Sequence, residues 1–202
     1  GQSVAIGRLA LSTQNNDDTN YNVAVGHTAG RFVTTGLKNT LIGGLTADAL
    51  TTGGNNVAVG YLALSTDTTG DNSTAIGRSA LAVQNVTDGS DVYNVAVGYN
   101  AGGAVTTGNQ NTLIGGNSGD ALTSADRNVA VGYQALTGET LGERNVAIGY
   151  ASLANQNNTS STSPYNVAVG YNAGNDVTTG SSNTLIGGLT GDALTTGVEN
   201  TA

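Results

Sequence analysis

The chain has 202 residues, of which 31 are glycine and only 10% are charged, and its formal net charge is −8. Proteins that bind nucleic-acid phosphates cluster Lys and Arg, so six scattered basic residues in an acidic chain argue against a nucleic-acid partner. Cysteine is absent, which excludes disulfides and thiolate chemistry, and no apolar run approaches the roughly 20 residues of a membrane-spanning helix.

A short apolar segment that ends in Gly recurs along the whole chain. Most neighbouring anchor glycines have a 17-residue spacing, a few have a 19-residue or 21-residue spacing, and four repeats make a 72-residue unit. The anchors are Gly7, Gly26, Gly43, Gly60, Gly77, Gly98, Gly115, Gly132, Gly149, Gly170 and Gly187. Repeats of this length are typical of solenoids, in which each repeat forms one coil.

Each repeat contains the signals of strands and turns. Three apolar residues precede the anchor, as in Val57-Ala58-Val59 before Gly60, and short β-branched runs between turn residues predict strands. A second short segment, Tyr61–Leu64, predicts a second strand, and Thr68-Thr69-Gly70 predicts the turn that closes the coil. We therefore predict an all-β, parallel β-solenoid (β-roll) with 17-residue coils and a four-coil super-repeat. Residues 1–202 form a single repetitive segment, expected to be a fragment of a longer array.

An Asn opens almost every repeat. Stacked coils bring equivalent residues into one column, in which Asn side chains can bond from coil to coil. The predicted structural ladder consists of Asn22, Asn39, Asn56, Asn94, Asn111, Asn128, Asn145, Asn166 and Asn183, with Ser73 in one of the remaining places.

The predicted first strand has no polar face. A strand with one face in water should alternate apolar and polar residues, whereas Val23-Ala24-Val25 does not. We expect the two valines to fill the coil and the small Ala to face another chain. Three coils around a common axis, a homotrimer, satisfy this pattern most simply. A wider single-chain solenoid is the alternative.

One coil in four is longer, and its polar turn is the candidate binding region. The expanded turns are Ser12–Asn20, Ala82–Val92 and Ala154–Pro164. Loops on a rigid scaffold often bind ligands, so a cell-surface glycan or receptor is one expected partner, and a tolerated insertion is the other interpretation. The candidate residues are Gln14, Asn15, Tyr21, Gln84, Asn85, Tyr93, Gln156, Asn157 and Tyr165.

The sequence gives no support to catalysis, a metal or a cofactor. His27 is the only histidine, and a general base needs an orienting partner and a pocket. Asp48, Asp120 and Asp192 lie in segments that partly match the calcium-binding nonapeptide. Successive segments are separated by a whole 72-residue unit, so neighbouring coils cannot supply the further oxygen ligands of calcium. We interpret the three aspartates as turn residues and the protein as a non-enzyme.

The motif Asn-x-Val-Ala-Ile/Val-Gly resembles the head repeats of trimeric autotransporter adhesins, which form left-handed parallel β-rolls in threefold bundles. The 17-residue form, as in Gly60–Leu64 followed by Thr68–Gly70, is similar to repeats in bacteriophage tail fibres. The resemblance covers essentially the whole chain. It implies a structural tail-fibre segment of a virion, a rigid spacer with a part in host attachment. The alternative is an adhesin head at the bacterial cell surface, binding host matrix or glycans.

A third hypothesis, an ice-binding solenoid, rests on the repeated Thr-Thr pairs. Ice binding needs a regular Thr array on a strand face, and here the pairs precede a turn Gly and the pattern is broken at Ser124 and Gly138.

Overall fold

The computed structural model describes residues 2–15 and 19–202, which contain eleven three-residue strands and no helix. In chain order, β1 to β11 are Val4–Ile6, Val23–Val25, Thr40–Ile42, Val57–Val59, Thr74–Ile76, Val95–Val97, Thr112–Ile114, Val129–Val131, Val146–Ile148, Val167–Val169 and Thr184–Ile186. Consequently, no helix in this part of the chain could cross a membrane.

The strands form one parallel sheet in which each strand pairs only with its neighbours in sequence. The pairing register is the same throughout, with Val95 opposite Thr112 and Val97 opposite Ile114. The predicted all-β parallel solenoid with 17-residue coils is therefore confirmed. At a strand spacing of about 4.8 Å, the eleven coils form a rod about 50 Å long.

The anchor glycines end the strands, and they allow the coils to stack closely. Their φ angles lie between +128° and +145°, a region that side-chain-bearing residues rarely adopt. A Cβ on Gly43 would come within 2.6 Å of the carbonyl oxygen of Gly60, one coil further on. Gly is therefore required both by the backbone angle and by the distance between coils.

The predicted second strand is wrong, because the chain turns continuously after each anchor. Left-handed residues stand two and four places after the anchor, such as Leu62 (φ 59°) and Leu64 (φ 52°). Another stands just before the ladder Asn, such as Arg127 (φ 60°). Positive φ is uncommon for a residue with a side chain, so the sequence predicted an extended segment where the structure has turns.

The predicted orientation of the strand is also wrong. Ala24, the middle residue of β2, is completely buried inside the coil, while Val23 and Val25 point outward and are partly exposed. Leu41 and Leu113 are the buried middle residues of β3 and β7. The coil is narrow, so it accommodates one small or medium side chain from the strand, and the flanking residues remain outside.

Large and small residues compensate each other in this narrow core. Where the strand contributes Leu113, the facing turn positions are Gly102 and Gly119, and a Cβ at either would come within 2.7 Å of the leucine side chain. Where the strand contributes Ala130, the turn contributes the fully buried Leu136. This alternation keeps the filled volume similar from coil to coil.

Candidate functional site

The asparagines form a buried ladder that joins one coil to the next. Asn111 is typical: its backbone N–H and Nδ2 donate to Oδ1 of Asn94 at 2.9 and 3.2 Å. Its own Oδ1 accepts from the backbone N–H of Asn128 at 2.9 Å. Its Nδ2 also donates to the carbonyl of Ala125 at 2.8 Å, in the turn that closes the same coil. Except for Asn145, which opens a long coil, each ladder Asn thus fixes both the stacking of coils and the closure of its own coil.

Gln84 continues the ladder where the column contains Ser instead of Asn. Its Nε2 donates to Oγ of Ser73 at 3.0 Å, and its Oε1 accepts from Nδ2 of Asn94 at 2.9 Å. Gln14 makes the equivalent contacts with Ser3 and Asn22, at 3.2 and 3.4 Å. The long coils therefore supply a glutamine to bridge the ladder.

This finding removes Gln84 and Gln156 from the candidate binding surface. Gln84 and Gln156 are completely buried, and Oε1 of Gln156 accepts from Nδ2 of Asn166 at 2.8 Å. Gln14 is partly buried. The prediction that these residues protrude in polar loops is wrong for Gln84 and Gln156, because the loop leaves the coil only after them.

Two buried carboxylates, which the sequence analysis did not single out, lie in the same interior column. Asp67 and Glu139 are completely buried and occupy the position that holds Val33, Leu50 or Leu122 in other coils. Burial in the coil raises the pKa of Asp67, and its hydrogen bond with Gln84 opposes this rise. Each acid directly precedes a long coil, and this 72-residue recurrence was the available sequence signal.

The carboxylates replace backbone acceptors that the long coil does not supply. In an ordinary coil, the turn N–H of Gly36 donates to the carbonyl of Thr51 in the next coil at 3.3 Å. Before a long coil, the equivalent N–H groups of Gly70 and Gly142 donate to Asp67 and Glu139, at 3.0 and 2.7 Å. The acid thus accepts the hydrogen bond of the turn N–H at the place where the backbone of the following long coil does not follow the path of an ordinary coil.

Glu139 shows the fullest version of this arrangement. Its Oε1 accepts from the backbone N–H groups of Thr140 at 2.9 Å and Asn158 at 3.0 Å, besides that of Gly142. Its Oε2 accepts from the side-chain amides of Gln156 and Asn158, both at 2.7 Å. All of these partners are N–H donors, so both oxygens of Glu139 act as acceptors.

The exposed parts of the long coils are shorter than predicted. They comprise residues 87–91 and 159–162, between the buried Val86 and Val92 in one coil and before the buried Pro164 in the other. Residues 16–18 of the first predicted loop lie outside the described residues.

The remaining candidate loop residues are accessible. The asparagines Asn15, Asn85 and Asn157 are exposed, as are the tyrosines Tyr21, Tyr93 and Tyr165. Oδ1 of Asn85 accepts from the hydroxyl of Thr68 at 3.0 Å, and Asn157 makes the same contact with Thr140. The structure therefore leaves these six of the nine candidates at the surface.

A column of exposed tyrosines runs along the rod directly after the anchor glycines. Tyr133, Tyr150 and Tyr171 stack on one another, with ring centroids 5.8 and 5.3 Å apart and interplanar angles of 23° and 15°. Stacking of this kind is favourable for aromatic pairs, and it leaves mainly ring edges and hydroxyls facing outward. Tyr99 has the Arg78 guanidinium over its ring at 5.5 Å. His27 lies in the same column, 3.3 Å from the guanidinium of Arg8.

Asp120, one of the predicted turn aspartates, and the turn threonines have local hydrogen-bond partners. Oδ1 of Asp120 accepts from the hydroxyl of Thr137 in the next coil. Within the described ranges, no three His, Asp or Glu side chains come close enough to hold a metal ion. The hydroxyls of Thr51 and Thr106 donate to backbone carbonyls one coil further on, at 2.9 and 3.2 Å. The Thr column therefore bonds the coils together.

These contacts describe a stiff rod with two kinds of outward surface. One is the exposed loop segments; the other is the outward face of the strands with the tyrosine column beside it. The chain matches no protein-family model, no curated protein and no solved structure.

Proposed function

We propose that the chain is a structural segment of a trimeric fibre, of the kind found in bacteriophage tails, and that it acts there as a rigid spacer. The observation that carries the proposal is an outward strand face that presents Val or Ile at the third position of all eleven strands and has no covering element within the described residues. In a protein that works alone, such a continuous apolar surface would be a liability for aggregation.

Isoleucines and valines alternate at the third strand position of this face, and four strands open with a threonine. Ile42, Ile76, Ile114 and Ile148 are each 37–39% exposed at the ends of their strands, and the valines or threonines that open the strands are partly buried by neighbouring coils. Copies of the chain that pack these faces together around an axis would remove them from water. The outward residues are Val and Ile rather than the Ala of our prediction, so this arrangement would bury more apolar surface per coil.

Stiffness along the rod supports the spacer role. Each coil is bonded to the next by the strand, by the Asn ladder and by the Thr hydroxyls. Solenoid stability comes from such contacts between neighbours, and their even distribution leaves no hinge between Asn94 and Asn145. The 17-residue coil, which is similar to repeats of tail fibres, favours a location in the virion.

The exposed loop segments favour a second candidate function, adhesion. Residues 87–91 and 159–162 with Tyr93 and Tyr165 recur once in each 72-residue unit, or about every 19 Å along the rod. A repeated polar and aromatic surface at regular spacing suits a glycan or a host receptor. An adhesin head at the bacterial cell surface would use this surface, and a tail fibre could use it in attachment.

The fibre proposal is tested by the mass and shape of the assembly. Sedimentation equilibrium should give three times the mass of the chain, and electron microscopy should show a rod about 50 Å long. Ile114→Lys, on the strand face, should dissociate the trimer, whereas Ser124→Lys, exposed elsewhere on the same coil, should leave it intact. A stable, folded monomer of the native chain would contradict the proposal.

A further inference from the structure

We propose that the two corners that border the strand face bind each other between neighbouring chains, so that each chain offers one corner to the next around the axis. This inference rests on the proposed trimer and specifies its contacts. The glycine corner consists of the residues directly after the anchors: Arg8, His27, Gly44, Tyr61, Arg78, Tyr99, Gly116, Tyr133, Tyr150, Tyr171 and Gly188. The asparagine corner consists of the residues directly before the ladder position: Tyr21, Lys38, Asn55, Asn72, Tyr93, Gln110, Arg127, Arg144, Tyr165, Ser182 and Glu199.

The backbone places the two corners on either side of the strand face. Each asparagine-corner residue has φ between +51° and +61°, so the chain bends there just before the buried Asn and the strand. The anchor Gly bends the chain again after the strand. The two corners of one coil are six residues apart, at most about 20 Å.

The chemistry of the two corners is complementary coil by coil. Arg127 and Tyr133 border the same strand, β8, and Arg144 and Tyr150 border β9. If coils of neighbouring chains meet at the same level, these guanidinium groups lie beside the tyrosine column of the next chain, a favourable cation–π arrangement. Both arginines pair with Glu143 of their own chain, at 2.8 and 2.9 Å. Their side chains nevertheless remain more than one-third exposed, so a ring of a neighbouring chain can pack against them.

At the other coils, the corner residues that would meet between neighbouring chains also avoid like charges. At β5, Asn72 of one chain meets Arg78 of the next, a polar contact of a cation with a neutral amide. At β3 and β7, the glycine corner is Gly44 or Gly116, which leaves room for the long side chains of Lys38 or Gln110. No level from β2 to β10 brings two cations or two anions together.

The stacked tyrosines favour a protein neighbour over a sugar at this corner. The rings of Tyr133, Tyr150 and Tyr171 stack at 5.3–5.8 Å, which covers both faces of Tyr150 and one face of each of the other two, and sugars pack on open ring faces. Their exposed edges and hydroxyls instead present a ridge along the rod, and only another rod with the same coil spacing matches such a ridge over its whole length. A second copy of this chain is that partner.

The absence of cysteine makes cross-linking a direct test. We would prepare Arg127→Cys, Tyr133→Cys and the double variant, treat each with mild oxidant or with a short bis-maleimide, and separate the products under denaturing conditions. In a parallel trimer the glycine corner of each chain meets the asparagine corner of the next chain. The double variant should therefore give a covalent trimer as the main product. Each single variant should stay monomeric, and a mixture of the two single variants should give covalent dimers.

The control pair is Ala121→Cys with Tyr133→Cys, because Ala121 lies about halfway around its coil from the strand face. This pair should give no covalent trimer. Cross-linking of either single variant would show that like corners meet, as in an antiparallel pair of chains, and would overturn the inference. So would a protein that is trimeric by sedimentation but whose double variant does not cross-link with either reagent. A covalent dimer from the double variant would show a parallel pair of chains and would contradict the trimer itself, as would a monomer by sedimentation.

Discussion

Gln84 donates a hydrogen bond from Nε2 to Oδ2 of Asp67 at 2.6 Å, and both side chains are completely buried. Glu139 and Gln156 repeat this contact at 2.7 Å, one 72-residue unit further along the chain. Buried polar groups are costly unless their hydrogen bonds are satisfied. The stability of the rod should therefore be sensitive to changes at these pairs.

The stability of the rod should depend on pH through Asp67. Burial favours the neutral form in the folded protein and raises the pKa of this carboxyl above its ordinary value of 3.8. The stabilisation due to the neutral form is fully present below pH 3.8 and is lost as the pH rises through the folded-state pKa. Relative to Asp67→Asn, the native chain should lose about 1.4 kcal/mol of unfolding free energy per unit by which the pKa is raised.

Urea unfolding of both proteins, from below pH 3.8 to neutrality, measures this difference. Asp88→Asn is the matched control with the opposite sign. Hydrogen bonds from Ser90 lower the pKa of the exposed Asp88, so its contribution is present above pH 3.8 and is lost as the pH falls. A native chain that gains stability relative to Asp67→Asn on raising the pH would refute the prediction.

Glu139→Gln should destabilise the rod although it preserves the shape of the side chain. One acceptor oxygen becomes an NH2 group that faces the amide donors of Gln156 and Asn158. Unsatisfied buried donors cost about 1–3 kcal/mol each, so we expect a loss of about 2–4 kcal/mol in thermal or chemical unfolding. Hydrogen exchange should show the loss first in residues 157–162. Glu143→Gln, in a partly exposed ion pair with Arg127 and Arg144, should change stability by less than about 1 kcal/mol, and equal effects of the two variants would disprove this role of Glu139.

Two adjacent glycines should respond very differently to alanine. Gly43→Ala forces a side chain into φ +140° and within 2.6 Å of the carbonyl oxygen of Gly60, which should cost at least about 2 kcal/mol. At Gly44 the added Cβ would meet only a ring carbon of Tyr61, at 3.6 Å, so Gly44→Ala should be nearly neutral. Melting temperatures of the two variants give the comparison, and similar values would contradict the role of the anchor.

Removal of one amide from the ladder should weaken two coils at once. Asn111→Ala leaves the carbonyl of Ala125 and the N–H of Asn128 without their partner, and we expect a loss of about 2–4 kcal/mol. Asn109→Ala, two residues earlier, is the control because the hydrogen bonds of Asn109 come from its backbone: the N–H donates to Asp126 and the carbonyl accepts from the N–H of Arg127. Chemical denaturation of the two variants measures the difference, and a loss no larger at Asn111 than at Asn109 would show that the ladder is dispensable.

The period of the fold could be predicted from the sequence, because the anchor glycines and the ladder asparagines have strict geometric requirements. Gly98 has no substitute at φ +142° so close to the next coil, and Asn94 is long enough to reach both the next Asn and its own turn. Constraints of this kind recur in every coil, so they leave a visible pattern.

The direction of the strand and the path of the turns could not be predicted in the same way. In Val95-Ala96-Val97 every residue is apolar, so the pattern does not show which side chains point inward. Leu64 and Leu136 adopt positive φ, a conformation that leucine rarely adopts and that only packing in the coil stabilises. The burial of Gln84 was missed for a related reason, since its acceptor Asp67 lies in another coil.

The long coils have a consequence for the length of the rod. The coil between Gly77 and Gly98 is longer than an ordinary 17-residue coil, yet β5 and β6 pair in the same register as any other neighbours. The additional residues extend sideways and add nothing along the axis. The length of the rod is therefore set by the number of coils, each marked by one anchor glycine. Surface segments between the anchors can lengthen or change sequence without altering the distance that the rod spans.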